Sequence, residues 1–429
     1  MDCITLTNIS VAENTITYAY RVTPALERFF TPQTPFMISY TAQGNPLLLD
    51  SVPQAVLAIP FVCNVLPIIW LTNSKLILPE LDKDFFECIP NVKQGYESMF
   101  PESVFAGEVC PEKIAETKAQ GNGCAALFSG GLDATQTLVS HLDEKPHLIS
   151  IWGADVRFDN AKGWKAVYDG ISKTAQRFQL SSAVIHSSFR AFDNESALDK
   201  AFSEQLKDDW WHGVKHGIAL LGHVAPYAYC KGISTVYIAS SHCPSSHMVR
   251  CASNPRTDNH VRYAGCHVKH DGFEYSRQNK IRNIVDYTSK TGVEITLHAC
   301  WQSQSGSNCC HCEKCYRTIA AILAEGANPV AFGFYNTEQN LADMQRYIID
   351  GKALNANLAT NDWVHIQNRI TQNKAILRHK NYWKYIKWIT KADFYHHETL
   401  KMPLLYRIQK RLAKFKFYQT LHKLKERLK

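Results

Sequence analysis

The sequence predicts an α/β protein with three regions. Between residues 123 and 240, short apolar runs alternate with helical patterns, which is typical of parallel strands joined by crossover helices. Residues 1–110 contain period-two runs that predict a small α+β domain. From residue 338 to 429, apolar residues recur every three or four positions, which predicts a helical region. We therefore expect a parallel-sheet core domain at 123–330, preceded by the α+β domain and followed by the helical region.

Composition and charge indicate a cytoplasmic protein. The net charge of the 429 residues is +8, but residues 401–429 hold ten Lys or Arg and one Glu, so residues 1–400 are nearly neutral. Fourteen cysteines in a chain of this length do not indicate a disulfide scaffold, and the first residues lack a secretion signal. The most apolar stretch, residues 55–71, contains two prolines and an asparagine and is shorter than the roughly 20 residues that span a bilayer. We expect it to form a buried strand or a pair of helices.

The N-terminal region carries no residue pattern with a chemical meaning. Residues 14–22 alternate apolar and polar side chains and predict a strand, and the run at 36–40, bounded by prolines and Gly44, predicts another. Residues 111–123 are charged, small and glycine-bearing, which predicts a linker. The role of residues 1–110 is left open.

The core domain begins with an apolar run, residues 125–128, that stops at two glycines before helical spacing starts. Glycines at this turn let backbone amides approach an anion, and a helix N-terminus adds the positive end of its dipole. The side chains of this turn offer two hydroxyls and a carboxylate that can hold a cation. We therefore predict a phosphate and metal-ion site formed by Ser129, Gly130, Gly131, Leu132, Asp133, Ala134 and Thr135.

Three further strands are predicted in this domain, at 147–152, 183–186 and 235–239, with a helix at 161–178. Ligands bind beyond the carboxyl ends of parallel strands, so the residues that follow these strands should meet in one crevice. These residues are Ser129, Gly153, His186 and Ser240. We add Gly153 to the predicted phosphate and metal-ion site.

Four cysteines downstream have the spacing of a metal site: Cys300, Cys309, Cys312 and Cys315. Two successive Cys-x-x-Cys steps and one upstream cysteine can surround a tetrahedral Zn²⁺ with Zn–S distances of about 2.3 Å, and four thiolates leave no open position. The zinc would then be structural. An iron–sulfur cluster also uses four cysteines. Cys310 is a fifth thiol, either a nucleophile or a buried bystander.

The Ser-Gly-Gly-x-Asp sequence at 129–133 resembles the PP-loop of the ATP pyrophosphatases, which have an adenine nucleotide alpha hydrolase-like fold. Many members carry Ser where this chain has Ala134, and Thr135 would supply the hydroxyl. The Cys-x8-Cys-x2-Cys-x2-Cys pattern resembles the zinc site of the 7-cyano-7-deazaguanine synthases, also downstream of a PP-loop. The resemblance covers residues 123–325. It implies an ATP- and Mg²⁺-dependent enzyme that adenylates a carboxylate or carbonyl oxygen of a small molecule, for attack by ammonia, and releases AMP and pyrophosphate.

Three basic residues are candidates for contact with the phosphates. Lys215, followed by His216, stands near the place of a Gly-Arg-Asn sequence in these synthases; it could meet a phosphate or lie solvated on a helix. Arg277 and Lys280 are three residues apart on a helix predicted from Ser276 to Thr288, so they share a face. That face could meet pyrophosphate, an anionic substrate or solvent. The predicted catalytic residues are Asp133, Lys215, Arg277 and Lys280.

Other functions are left open by the sequence. The stretch from Asn308 to Thr318 also resembles a second group of PP-loop proteins. One alternative is a tRNA-thiolating or sulfur-transferring PP-loop enzyme, for which the basic residues of 401–429 could bind RNA. Another is a non-catalytic nucleotide-sensing or partner-binding protein. His242, Cys243, His247 and Cys251 could form a second metal site or a loop over the crevice.

The C-terminal tail, residues 401–429, has an apolar stripe and basic residues elsewhere, which predicts a basic amphipathic helix. It could pack on the rest of the protein, bind RNA phosphates or lie on an anionic membrane surface. The sequence does not distinguish a monomer from a homo-oligomer.

Overall fold

The structure, a computed structural model, describes residues 1–246, 250–300, 302, 307–335, 337–349 and 354–397. The chain divides into two units. Met1–Cys309 and Ala331–Gly333 form the first unit, and Cys310–Val330 and Phe334–Lys429 form the second. The predicted tail helix at 401–429 lies outside the described residues.

The first unit is built on one mixed sheet, to which the described residues contribute twelve strands. The strands are β1 (Cys3–Ala12), β2 (Thr15–Val22), β3 (Phe36–Ala42), β4 (Asn45–Pro46), β5 (Lys75–Asp82), β6 (Glu108–Ala115), β7 (Gly123–Leu127), β8 (His147–Trp152), β9 (Ser182–Ser187), β10 (Ile233–Ala239), β11 (Arg262–Tyr263) and β12 (Cys266–Asp271).

Five neighbouring strands of this sheet are parallel, in the order β12, β10, β7, β8, β9. If these five strands are numbered from 1 to 5 along the chain, their order in the sheet is 5-4-1-2-3. The direction of winding therefore reverses between β7 and β10. Such a reversal opens a crevice at the carboxyl ends of the two strands, where α/β proteins bind ligands. The predicted α/β class is confirmed, and β7 to β10 include the four strands that the sequence predicts.

The strands of residues 1–115 continue the same sheet. β3 pairs antiparallel with β9, with Ile38 opposite Ser187 and Tyr40 opposite Ile185. From β3 the order continues β2, β1, β5, β6, while β4 pairs with β3 off this path. The sheet therefore joins residues that the sequence assigns to separate regions. The linker prediction is wrong for residues 111–115, which belong to β6, because their backbone pairs in parallel with β5.

Ten α-helices of the first unit lie within the described residues. They are α1 (Gln54–Leu57), α2 (Ile59–Thr72), α3 (Lys83–Met99), α4 (Leu132–Ser140), α5 (Ala161–Phe178), α6 (Phe189–Phe192), α7 (Glu195–Leu206), α8 (His216–Lys231), α9 (Pro255–Asp258) and α10 (Arg277–Thr291). Ser276 caps α10 by accepting a hydrogen bond from a backbone amide, so this helix begins at the residue that the sequence predicts. Asn160 caps α5 in the same way.

The apolar stretch at 55–71 forms the helix pair α1 and α2, and every residue of α2 from Ile59 to Trp70 is buried. It packs on α8, where a side chain at Gly222 would meet the Cys63 sulfur at 2.5 Å. A glycine is therefore required for the two helices to approach this closely. No helix in the described part of the chain has the length and apolar character needed to cross a bilayer.

The second unit is helical within its described residues. Its helices are α11 (Glu313–Ala324), α12 (Glu338–Ile349), α13 (Ala356–Leu358), α14 (Val364–Gln372), α15 (Lys374–Leu377) and α16 (Trp383–Ile386). The predicted apolar face is buried at Leu341, Met344, Trp363, Ile366 and Ile370. Arg369 and Glu325 form an ion pair between α14 and the end of α11 at 2.6 Å.

Candidate functional site

The turn between β7 and α4 lies at the carboxyl end of β7. Gly130 has φ of +74°, a left-handed conformation that favours glycine, and Gly131 is the N-cap of α4. The amide of His298 donates to the Gly130 carbonyl at 2.8 Å, so a neighbouring chain segment fixes the turn. Ser129 is exposed, and its hydroxyl accepts a long hydrogen bond of 3.4 Å from the Gly131 amide. The turn thus offers backbone and hydroxyl groups at the crevice.

Asp133 is in the first turn of α4, next to two cations from α10. Lys280 Nζ lies 2.9 Å from Asp133 Oδ1, and Arg277 Nη1 lies 3.8 Å from Oδ2. The predicted common face of Arg277 and Lys280 is therefore directed at the turn after β7. One carboxylate and two cations leave a net positive charge beside a helix N-terminus, which favours an anion.

Lys280 also donates to the backbone carbonyl of Ser240, directly after β10. Its side chain is 2% exposed. Since β7 and β10 are the two strands between which the winding reverses, Lys280 connects both sides of the crevice. The sequence predicts Lys280 and Ser240 in the crevice separately, but it does not predict this contact.

Asp271 holds the later part of α4 against the end of β12. Its carboxylate accepts from the Thr137 hydroxyl at 2.7 Å and contacts His141 Nε2 at 2.9 Å, and its carbonyl accepts from the Ser240 amide. Burial would raise the pKa of Asp271, but the hydrogen bonds with His141 and Thr137 lower it below its ordinary value. The hydrogen bond to Asp271 raises the pKa of His141. The Asp271 carboxylate is therefore negatively charged, and in this form it holds α4 in place.

The other three residues predicted for this turn, Leu132, Ala134 and Thr135, are buried. Leu132 and Ala134 are buried in the packing of α4. Thr135 is 2% exposed, and its hydroxyl has no hydrogen-bond partner among the described residues. Because this hydroxyl is covered by protein atoms, it does not replace the Ser that many PP-loops carry at the position of Ala134. Ser129 is the accessible hydroxyl of the turn.

Gly153 follows β8, as the sequence predicts, but it is buried. Its φ is +118°, and a Cβ atom here would lie 2.0 Å from the Ser187 carbonyl oxygen. Close packing of the ends of β8 and β9 thus accounts for this glycine. His186, at the end of β9, stacks on Trp152 with ring centroids 3.8 Å apart and donates to the Phe158 carbonyl oxygen through Nε2.

Lys215 does not contact the turn after β7 among the described residues. Its side chain is 0% exposed, and Nζ lies 2.6 Å from Asp193 Oδ2 and 2.7 Å from the Phe189 carbonyl oxygen. Burial lowers the pKa of Lys215, and Asp193 opposes this effect. We therefore assign Lys215 to a buried ion pair rather than to the catalytic residues.

The four predicted metal ligands converge. The sulfurs of Cys300, Cys309, Cys312 and Cys315 all lie within 4.8 Å of one another. Zn–S bonds of about 2.3 Å in a tetrahedron require sulfurs roughly 3.8 Å apart, so the donor set fits Zn²⁺. Cys312 is the N-cap of α11, and Cys310 takes a left-handed backbone conformation between the ligands.

Asn308 positions the loop that carries Cys300. Its Oδ1 accepts from the amides of Ala299 and Cys300 at 2.9 and 3.2 Å, and its Nδ2 donates to the carbonyls of Leu297 and Gly333. Cys310 is 0% exposed, which does not suit a nucleophile that must reach a substrate.

Only two residues of the predicted second cluster, His242 and Cys251, lie close together among the described residues. His242 and Cys251 lie close to each other, and His212, which the sequence does not assign to this cluster, joins them. Cys243 instead contacts the hydroxyls of Ser245 and Ser246. His247 lies outside the described residues.

Comparisons of the chain with protein-family models, with curated proteins and with solved structures find no match.

Proposed function

We propose that this protein is an ATP-dependent enzyme of the PP-loop type, which adenylates a substrate oxygen and releases pyrophosphate. The observation that carries the proposal is Lys280, whose ammonium contacts Asp133 after β7 and the Ser240 carbonyl after β10. A buried cation at the point of strand reversal, beside a glycine turn and a helix N-terminus, is suited to the phosphates of a nucleotide.

The glycine turn and the two cations of α10 have separate roles in this proposal. The amides around Gly130 and Gly131 and the Ser129 hydroxyl bind the β- and γ-phosphates, which become the leaving pyrophosphate. Arg277 and Lys280 stabilise the negative charge that builds on these oxygens during nucleotidyl transfer. Preorganised cations of this kind are the main contribution that a protein makes to such reactions.

Asp133 is the residue that would hold Mg²⁺. Magnesium in nucleotide sites is bound by one or two carboxylates together with phosphate oxygens, and this turn offers one carboxylate. The ion, when bound, neutralises phosphate charge. The side chain of Asp133 is 23% exposed, so solvent reaches part of it beside Lys280.

The four-cysteine cluster would hold structural Zn²⁺ in this proposal. Three of its cysteines are buried, and four thiolates fill a tetrahedral shell, so no coordination position is left for a substrate. The substrate is a small molecule with a carboxylate or carbonyl oxygen, and ammonia is the nucleophile if the likeness to 7-cyano-7-deazaguanine synthase extends to chemistry.

The direct test is formation of AMP and pyrophosphate from ATP and Mg²⁺, with a small-molecule cell extract as the source of acceptor. We expect Lys280→Met and Asp133→Asn to reduce AMP formation at least 100-fold, since each removes charge at the reacting phosphates. Lys290→Met is the matched control, because Lys290 is an exposed residue in the last turn of the same helix.

ATP binding, measured by equilibrium dialysis, separates the possible outcomes. Binding without AMP formation in any extract would favour the nucleotide-sensing alternative and contradict the enzymatic proposal. Equal AMP formation by the wild type and Lys280→Met would exclude the crevice as the reaction site. A sulfur-transferring enzyme would instead incorporate labelled sulfur into tRNA, and it would need an accessible thiol, which the buried Cys310 does not provide.

A further inference from the structure

We propose that His212, His242 and Cys251 form a second transition-metal site, separate from the four-cysteine cluster, that binds Zn²⁺ with three protein ligands. One donor atom from each residue lies within 4.8 Å of the other two. A zinc ion with Zn–N bonds of about 2.0 Å and one Zn–S bond of about 2.3 Å requires donor atoms roughly 3.3 to 3.6 Å apart, so small side-chain adjustments close the shell.

The three donors come from different parts of the first unit. His212 lies in a π-helical turn, Trp211–Lys215, directly before α8, and such turns are frequent at functional sites. His242 follows β10, and the Ser240 hydroxyl fixes its backbone by donating to the His242 carbonyl at 2.8 Å. Cys251 is on the following loop, which is tied to the π-helical turn because the Ala252 amide donates to the His212 carbonyl at 2.8 Å.

The histidine rings are oriented for a shared ion. The ring centroids of His212 and His242 are 6.0 Å apart, and the rings are nearly perpendicular, with an interplanar angle of 80°. Asp208 contacts His212 at Nδ1, at 2.5 Å, so the other ring nitrogen is the one left for a ligand. A carboxylate behind a ligating histidine is the usual arrangement in metal sites, where it fixes the ring and its tautomer.

The surroundings of Cys251 favour a metal over a covalent nucleophile. The imidazoles of His212, His216 and His242 surround its sulfur and interact with it electrostatically, whereas an activated thiol needs only one basic partner. Cys251 is 3% exposed, so a substrate carbon would not reach it readily. The side chain of His212 is 39% exposed, so water can approach the cluster on the side of the histidines.

Three protein ligands are typical of catalytic zinc sites, because the fourth position is left to water or a substrate atom. The site lies at the crevice, since His242 is two residues after Ser240, whose carbonyl accepts from Lys280. Zn²⁺ bound there would act as a Lewis acid on a polar ligand in the crevice. Metal binding itself does not depend on the proposed function.

Metal content tests the proposal. We expect two equivalents of zinc in protein purified without chelator, as measured by inductively coupled plasma mass spectrometry, and one equivalent in Cys251→Ser. Cys243→Ser, on the same loop but outside the cluster, should keep both equivalents. Cys312→Ser should lose the other zinc and keep the one bound by Cys251. Circular dichroism of each variant checks that it is folded.

A second measurement does not depend on removing a ligand. Asp208→Asn keeps all three ligands, and we expect it to weaken zinc binding at this site 10- to 100-fold in a chelator competition, as loss of an outer carboxylate does elsewhere. X-ray absorption at the zinc edge of the wild type should show imidazole scattering. Sulfur scattering alone, the same zinc content in Cys251→Ser as in the wild type, or rapid alkylation of Cys251 in zinc-loaded protein would each overturn the proposal.

Discussion

The imidazole of His223 is enclosed between two hydrogen-bond partners in α8 and β9. Its Nδ1 donates to the Ala219 carbonyl oxygen at 2.6 Å, so Nε2 accepts from the Ser187 hydroxyl at 2.8 Å. The neutral ring therefore satisfies both partners, and the side chain is 0% exposed. Burial lowers the pKa of His223 to about 4. A charged ring at this position would be buried and repelled by the Lys215 ammonium.

Acid should therefore destabilise the protein through His223. In the unfolded chain its pKa is about 6.5, so between pH 6.5 and 4 the unfolded state binds a proton that the folded state does not, and stability falls as the pH falls. The difference of about 2.5 pH units corresponds to about 3 kcal/mol. We expect the free energy of urea unfolding to fall by about that much more in the wild type than in His223→Gln between pH 7 and pH 4. Parallel pH curves for the two proteins would contradict this assignment.

At the scale of elements, the ion pair of Lys215 and Asp193 joins the start of α8 to the end of α6. Both side chains are 0% exposed, and the Lys215 ammonium also lies 5.2 Å from the centre of the Phe189 ring. The sequence pattern places Lys215 in a helix. Helical spacing does not reveal that its side chain points inward and contacts the carboxylate of Asp193, 22 residues earlier in the chain.

Removing one partner of this pair leaves a buried charge uncompensated, which costs about 3 to 5 kcal/mol. We expect Lys215→Met to lower the free energy of urea unfolding by that amount, and the double variant Lys215→Met, Asp193→Asn to recover most of it. The matched control is Lys165→Met, since Lys165 and Asp169 form an exposed pair with nearly the same N–O distance, 2.7 Å, that should contribute less than about 0.5 kcal/mol. A Lys215→Met protein with unchanged stability and no AMP formation would return Lys215 to the catalytic residues.

Elements with a strong local signal could be predicted from the sequence. The helix at 161–178 has the predicted bounds because its apolar spacing and its Asn160 cap are both local features. The four cysteines are also within 16 residues, so their spacing alone indicates a common ion. The cluster of His212, His242 and Cys251 could not be predicted as a set, because its members meet only through the loop after β10 and the π-helical turn before α8.

At the scale of the whole molecule, the sheet of the first unit runs without a break from residues 3–115 into the parallel strands. A period-two pattern predicts β2 and a short run bounded by prolines and a glycine predicts β3, but neither signal specifies a partner strand. The pairing of β3 with β9 is therefore not available from the sequence. The apolar residues of α2 likewise predict burial without indicating that α8 is what covers them.

Residues 116–429 should therefore not fold alone. Their expression without residues 1–115 would expose the edge of β9 and the face of α8 that packs on α2, and both invite aggregation. We expect this fragment to be largely insoluble, and co-expression with a fragment of residues 1–115 to restore solubility. The measurement is the soluble fraction after expression and the thermal unfolding midpoint. A soluble 116–429 fragment with the midpoint of the full chain would contradict the continuous sheet.

The pairing of β3 with β9 also sets an order of events during synthesis. The Met37 amide donates a hydrogen bond to the Ser188 hydroxyl next to this strand pair, and the two residues are 151 residues apart in the chain. At 5 to 20 residues per second, a ribosome needs about 8 to 30 s to produce β9 after β3 has emerged. During that interval the edge of β3 that pairs with β9 lacks its partner, so we expect chaperones that shield strand edges to bind the nascent chain until the parallel strands are complete.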